Sequence, residues 1–126
     1  RRDGTSMKKE LTDRLAAKYP LLFRDLYGDY TKTCMSGGIE CGDGWYDIID
    51  NFCAKVAPSS PDIYFTQIKE KFGTIRLYLN FYNEVANEAD TEAEKLSEVT
   101  CETCGKPGEM QHGSWLFVAC DEHKKK

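Results

Sequence analysis

Residues 62–82 read Asp62-Ile-Tyr-Phe-Thr-Gln-Ile-Lys-Glu-Lys-Phe-Gly-Thr-Ile-Arg-Leu-Tyr-Leu-Asn-Phe-Tyr82, and their hydrophobic period is two. Ile75, Leu77, Leu79 and Phe81 fall on one side of an extended chain, and Arg76, Tyr78, Asn80 and Tyr82 on the other. Gly73 stands between the halves. Residues 62–72 and 74–82 are therefore expected as two strands, antiparallel because the connection is short. One face should pack on helices. The other should be half wet, with the bodies of Tyr64, Tyr78 and Tyr82 on it.

Upstream, the period is helical. Leu11, Leu15, Ala16 and Tyr19 share a helix face, and Leu22, Phe23 and Leu26 continue it past a break at Pro20. A helix over 8–27 is expected, ending at Gly28. Residues 30–44 hold four glycines and two cysteines and read as a loop. Asp43 is the expected N-cap of a helix from Gly44 to Val56, with an apolar face of Tyr46, Ile49, Phe52, Cys53 and Val56, widened by Trp45 and Ile48. Pro58 and Pro61 close it. Downstream, Asn83 is expected to cap a helix through Glu98, with Val85, Ala89, Ala93 and Leu96 inward; Thr91-x-x-Glu94 is an alternative start. The pattern is α+β: helices packed on a small antiparallel β-hairpin sheet.

The last quarter carries a different signal. Cys101-Glu-Thr-Cys104 and Cys120-Asp-Glu-His123 are separated by fifteen residues. Two residues between paired ligands let a tight turn aim both at one ion, and three thiolates with one imidazole suit tetrahedral zinc. Gly105 follows Cys104, where such a knuckle needs a positive φ. His112-Gly113 marks a turn, and Ser114–Ala119 reads as a strand with Trp115, Phe117 and Ala119 on one side. This is a C-terminal zinc ribbon, held by metal because it is too small to hold itself by burial. All four positions are filled by protein, which makes the zinc structural. His112, at the hairpin tip, is the competing ligand.

The organisation expected is an expression leader at 1–6, an α+β core at 7–98, and a zinc ribbon with a basic tail at 99–126. The chain has 126 residues, about 40% apolar and 30% charged, with a net charge of −4. That is room for one modest core, and no apolar run is long enough to span a bilayer. No signal peptide is visible, and the metal-type spacing favours a reducing cytoplasm over disulfides. The acidic balance disfavours non-specific attraction to nucleic acid.

The loop Cys34-Met-Ser-Gly-Gly-Ile-Glu-Cys-Gly-Asp-Gly-Trp45 reads either as a recognition loop or as a glycine-rich turn that places Asp43 and buries Trp45. A second metal site at Cys34 and Cys41 lacks further ligands. A nucleophile at Cys41 lacks a base. Glu40 and Asp43 make a carboxylate pair with nothing to complete an acid–base site.

Three segments resemble a family together: Glu40-Cys-Gly-Asp-Gly-Trp-Tyr-Asp-Ile-Ile49, Gln67-Ile-Lys-Glu-Lys-Phe-Gly-Thr-Ile-Arg-Leu-Tyr78, and Ser97 through Cys104-Gly-Lys-Pro-Gly108. They are similar to uncharacterised small zinc-ribbon proteins of bacteriophages and prophages. The resemblance implies expression in a bacterial host cytoplasm; it supplies no activity, so no catalytic residue is carried over from it. The expected function is a non-enzymatic binding protein that contacts a host or defence protein through the loop and sheet face, with Glu40, Asp43, Trp45, Arg76 and Tyr78 as contact residues. The acidic 84–102 segment, with Glu84, Glu88, Asp90, Glu92, Glu94, Glu98 and Glu102 against Lys95, offers a second surface. The alternative is nucleic-acid binding through Lys69, Lys71, Arg76 and Lys106 with neighbouring tyrosines. An enzyme built on the Cys34–Trp45 loop is the remaining class. It lacks a nucleophile–base pair, a phosphate loop and an open metal triad.

Overall fold

The structure is a computed structural model and describes residues 5–124. Helix α1 spans Lys9–Lys18, α2 Tyr46–Val56 and α3 Glu84–Ser97. Strands β1 (Phe65–Lys71) and β2 (Thr74–Leu79) form one antiparallel hairpin; β3 (Glu109–Gln111) and β4 (Phe117–Ala119) form another. Short 3-10 turns lie at Cys34–Gly37, Asp43–Trp45 and Ala57–Ser59. The architecture is α+β, as the change of period implies.

Pairing in the first hairpin runs from Lys71 with Thr74 to Phe65 with Leu79, with a bulge between Phe65 and Gln67. Phe72 and Gly73 form its two-residue turn, at φ 55° and 88°. Two left-handed residues match the right-handed twist of the strands, which is why glycine stands at 73. Glu40 adds a one-residue parallel bridge along β1, its N–H donating to the Ile68 carbonyl at 2.9 Å.

The core lies between the inner face of this hairpin and the helices. Ile68, Ile75, Leu77 and Leu79 meet Leu15, Ile48, Ile49, Phe52 and Val56. Phe65 packs its ring against Phe23 and Phe52, at centroid distances of 4.9 and 5.7 Å. A separate small apolar cluster of Cys101, Phe117, Ala119 and Cys120 sits under the second hairpin.

Several boundaries move. The first helix stops at Lys18, because Pro20 supplies no N–H; Leu22 and Phe23 are buried from a run of turns instead, and Leu22 accepts the Phe65 N–H. Gly28 does not end a helix. The left-handed residue is Tyr27 (φ 60°), and Gly28 is small because a Cβ there would lie 2.9 Å from the Asp25 carbonyl. Helix α2 starts at Tyr46, not Gly44, and Asp43 does not cap it. The strands end sooner than their alternation. Tyr64 and Asn80 are joined by an Asn80 side-chain bond, and Phe81 is exposed. In α3 the Asn83 cap is used, its side chain accepting the Ala86 N–H. The buried stripe, however, is Ala86, Ala89, Ala93 and Ser97, while Val85 and Leu96 are exposed. Small residues let α3 approach α2 and β2 closely, and Ser97 Oγ accepts the Ile75 N–H on the free edge of β2. Strand β4 is shorter than Ser114–Ala119, and Trp115 is 40% exposed.

The leader expected at 1–6 falls largely outside the described residues, as do the last two lysines of the tail. Met7 is in the core, and its N–H donates to the Ile39 carbonyl.

Candidate metal centre

The first knuckle is a tight turn, Cys101–Gly105. The Gly105 N–H returns to the Cys101 carbonyl at 2.9 Å, and Gly105 takes φ 83°, a conformation that only glycine adopts cheaply. The second is a turn at Cys120, with the His123 N–H on the Cys120 carbonyl at 3.1 Å. The β3–β4 hairpin carries the second pair back to the first. Glu102 N–H donates to the Val118 carbonyl, and a bridge of Thr100 with Pro107 fixes the entry to the knuckle.

The donor atoms of Cys101, Cys104, Cys120 and His123 all lie within 4.8 Å of one another. Cys104 Sγ is 3.6 Å from Cys120 Sγ, and His123 Nδ1 is 3.7 Å from Cys101 Sγ and 3.2 Å from Cys120 Sγ. A tetrahedral ion with metal–sulfur bonds of about 2.3 Å sets its ligands about 3.5–3.8 Å apart, so the cluster has the size of one such ion. These residues can hold a metal. Burial pushes the Cys101 thiol up, but the N–H groups of Cys120, Cys104 and Thr103 aimed at its sulfur outweigh this and bring it down to about 6. The fold therefore favours the thiolate that a metal needs. His112 is exposed and outside the cluster.

Compared with family models, curated proteins and solved structures, the chain matches none.

The glycine-rich loop meets the knuckle directly. Gly42 N–H donates to the Glu102 carboxylate at 2.9 Å, Gly44 N–H to the Glu102 carbonyl at 2.8 Å, and the Trp45 indole N–H to the Thr100 carbonyl at 2.9 Å. A Cβ on Gly44 would lie 2.2 Å from the Cys101 carbonyl and 2.7 Å from the Cys104 nitrogen. Gly42 and Gly44 are glycines because the knuckle occupies the space a side chain would need. Glu102 had counted as part of an acidic surface; it is buried, with its carboxylate turned to this loop.

The expected contact residues divide. Trp45 is fully buried and presents nothing to a partner. Asp43 accepts the N–H of Lys8, the residue before α1, at 2.9 Å and so ties the loop to the start of that helix. Glu40, Arg76 and Tyr78 do come together on the outer face of the β1–β2 hairpin. Glu40 accepts from Gln67 Nε2, Gln67 pairs with Tyr78, and Lys69 with Arg76. Beside them is a groove of about 480 Å³, with Tyr30, Lys32, Cys34, Gln67, Tyr78 and Tyr82 among its walls. Cys34 is exposed, whereas Cys41 and Cys53 are buried, and among the described residues no second donor cluster forms around them. No helix among the described residues is long and apolar enough to cross a membrane.

The sequence signals that were missed are Glu102 and the Gly-Asp-Gly spacing. That spacing marks a backbone approached closely on both sides of Asp43, but it does not name what approaches.

Proposed function

We propose that this chain is a non-enzymatic binding protein, encoded by a bacteriophage or prophage and working by contact in the bacterial host cytoplasm, with zinc as a structural staple. The closed donor set carries the metal part. Three thiolates and an imidazole complete a zinc tetrahedron without a vacant position, so the ion has no place for a substrate or a catalytic water. The ion joins the two knuckles and braces the Gly42–Trp45 loop. What remains for contact is the outer face of the β1–β2 hairpin, where Glu40, Arg76 and Tyr78 meet. The family resemblance makes a host or defence protein the first partner to consider. The cations and tyrosines on the face itself favour nucleic acid as the second.

Metal analysis of the purified chain should find one zinc per molecule, and X-ray absorption should give three sulfurs and one nitrogen. An oxygen in the first shell contradicts the structural role. For contact, affinity purification from host lysate should recover a component with wild-type protein and lose it with the Arg76→Glu/Tyr78→Ala double variant. Equal recovery moves the contact surface elsewhere.

A further inference from the structure

We infer that the outer face of the β1–β2 hairpin, together with the groove beside it, binds single-stranded nucleic acid. The inference rests on the contact role just proposed and takes the second of its two partner classes, the one that the face itself favours.

Charge comes first. Lys69 and Lys71 of β1 and Arg76 of β2 alternate onto this face, and Lys32 stands in the groove wall. Among the described residues, none of the three lysines has an ion-pair partner. Arg76 is 4.0 Å from Glu94, and its Nε is a buried donor with no acceptor. An anionic oxygen that drew the guanidinium outward would give that donor a partner. The acidic groups nearby are Glu40, held by Gln67, and Glu94 and Asp90 at the α3 margin. The exposed Glu84, Glu88 and Glu92 belong to α3 and Glu98 follows it as its C-cap, so the net charge of −4 does not describe this face.

Shape comes second. Tyr30 is 83% exposed, Tyr78 36% and Tyr82 37%, and all three border the groove. The Tyr82 hydroxyl donates to the Leu77 carbonyl at 2.7 Å and accepts the Leu79 N–H at 3.2 Å. Its ring is thus pinned by its polar end, a preformed platform. Aromatic platforms beside unpaired cations suit bases and phosphates of one strand, since every base offers a flat face. A stacked duplex has no unstacked base to offer such a groove. An acidic peptide would use the cations but leave the tyrosines idle.

The test is fluorescence anisotropy of the zinc-loaded chain with labelled oligo(dT) and oligo(U), with a duplex and poly-glutamate as competitors. Both single strands should bind at low salt, with log K falling against log salt at a slope of about −2 to −3 for three or four phosphate contacts. Lys69→Glu with Lys71→Glu should abolish binding, whereas Lys95→Glu on α3 should not weaken it. Tyr30→Ala and Tyr78→Ala should weaken it roughly 5- to 100-fold with the salt slope kept. Tyr30 is so exposed that its removal leaves the fold intact. Saturating oligonucleotide should also slow alkylation of Cys34, read by peptide mapping. No binding at low salt overturns the inference, as does binding indifferent to both tyrosines and the lysine pair. If poly-glutamate competes as well as oligonucleotide and the tyrosine variants are silent, the ligand is an acidic protein; the contact role then stands and the nucleic-acid assignment fails. If the Tyr78 variant retains everything that wild type retains, from oligonucleotide or lysate, the contact role of this face fails as well.

Discussion

Gly44 has no room for a side chain. An added Cβ would press on the Cys101 carbonyl and on the nitrogens of Cys104 and Gly105 at 2.2–2.7 Å, all backbone atoms that cannot swing aside. Gly44→Ala should therefore destabilise the metal-loaded protein by at least about 2 kcal/mol, as overpacking does in tight interiors. Gly37 lies in the same loop with nothing within 4 Å of its Cβ position. Gly37→Ala should be neutral, or stabilising by about 0.5 kcal/mol through the unfolded chain. Urea midpoints of the two variants separate close packing from mere loop flexibility; equal midpoints would refute the docking of loop on knuckle. At this scale the clustering of Cys101, Cys104, Cys120 and His123 was legible, because their spacing is local. The role of Glu102 was not. Its partner Gly42 is sixty residues away, and a glutamate among acidic neighbours reads as surface until the fold turns it inward.

Besides the shared apolar core, single polar side chains join one element to another. Asp43 sits outside α1 in sequence yet accepts the N–H of Lys8, at the start of that helix, with its other oxygen 3.7 Å from Lys8 Nζ. Asp43→Ala should cost about 1 kcal/mol, the usual net value of a hydrogen bond, and Asp43→Asn should recover most of it; thermal melts of both variants decide. At the other end of α1, Asp50 of α2 accepts from Lys18 at 2.7 Å and from the Tyr19 hydroxyl at 2.8 Å. The Lys18 bond, against the opposing effect of burial and with help from Tyr19, holds the Asp50 carboxyl below its ordinary 3.8. A carboxyl lowered in the folded state stabilises fully above its ordinary value and loses that contribution as pH falls through the folded value. The stability gap between wild type and Asp50→Asn should thus be full at neutral pH and shrink below pH 3.8. A gap that widens in acid contradicts the bond. Hairpin, helices and their order were readable from the two periods, but boundaries were not. The stripe on α3 slid from Val85 and Leu96 to Ala86 and Ser97 because close packing and the free Ile75 N–H, not apolarity, choose the buried face.

For the molecule as a whole, the question is whether the two apolar clusters behave as one unit. The sequence suggests separable parts: a ribbon whose loss of metal leaves the helix–hairpin core largely intact. The contacts argue for linkage. The first knuckle and Thr100 before it receive three hydrogen bonds from residues 42–45, where Trp45 is a fully buried core side chain and Asp43 accepts the Lys8 N–H ahead of α1. Metal bound by such a cluster would contribute on the order of 10 kcal/mol, and this loop would carry a share of it to the core. The check uses a Trp115→Phe background, in which Trp45 is the sole indole. Chelation, or Cys104→Ser, should red-shift Trp45 emission and lower the melting temperature of the α-helical signal. Zinc should raise that temperature in proportion to the logarithm of its free concentration, because it binds the folded state alone. A two-step melt, with the helical transition indifferent to metal, would show the ribbon to be an appendage. A single metal-dependent transition makes zinc the staple of the entire fold, and places the outer sheet face, which rests on the same core, under its control.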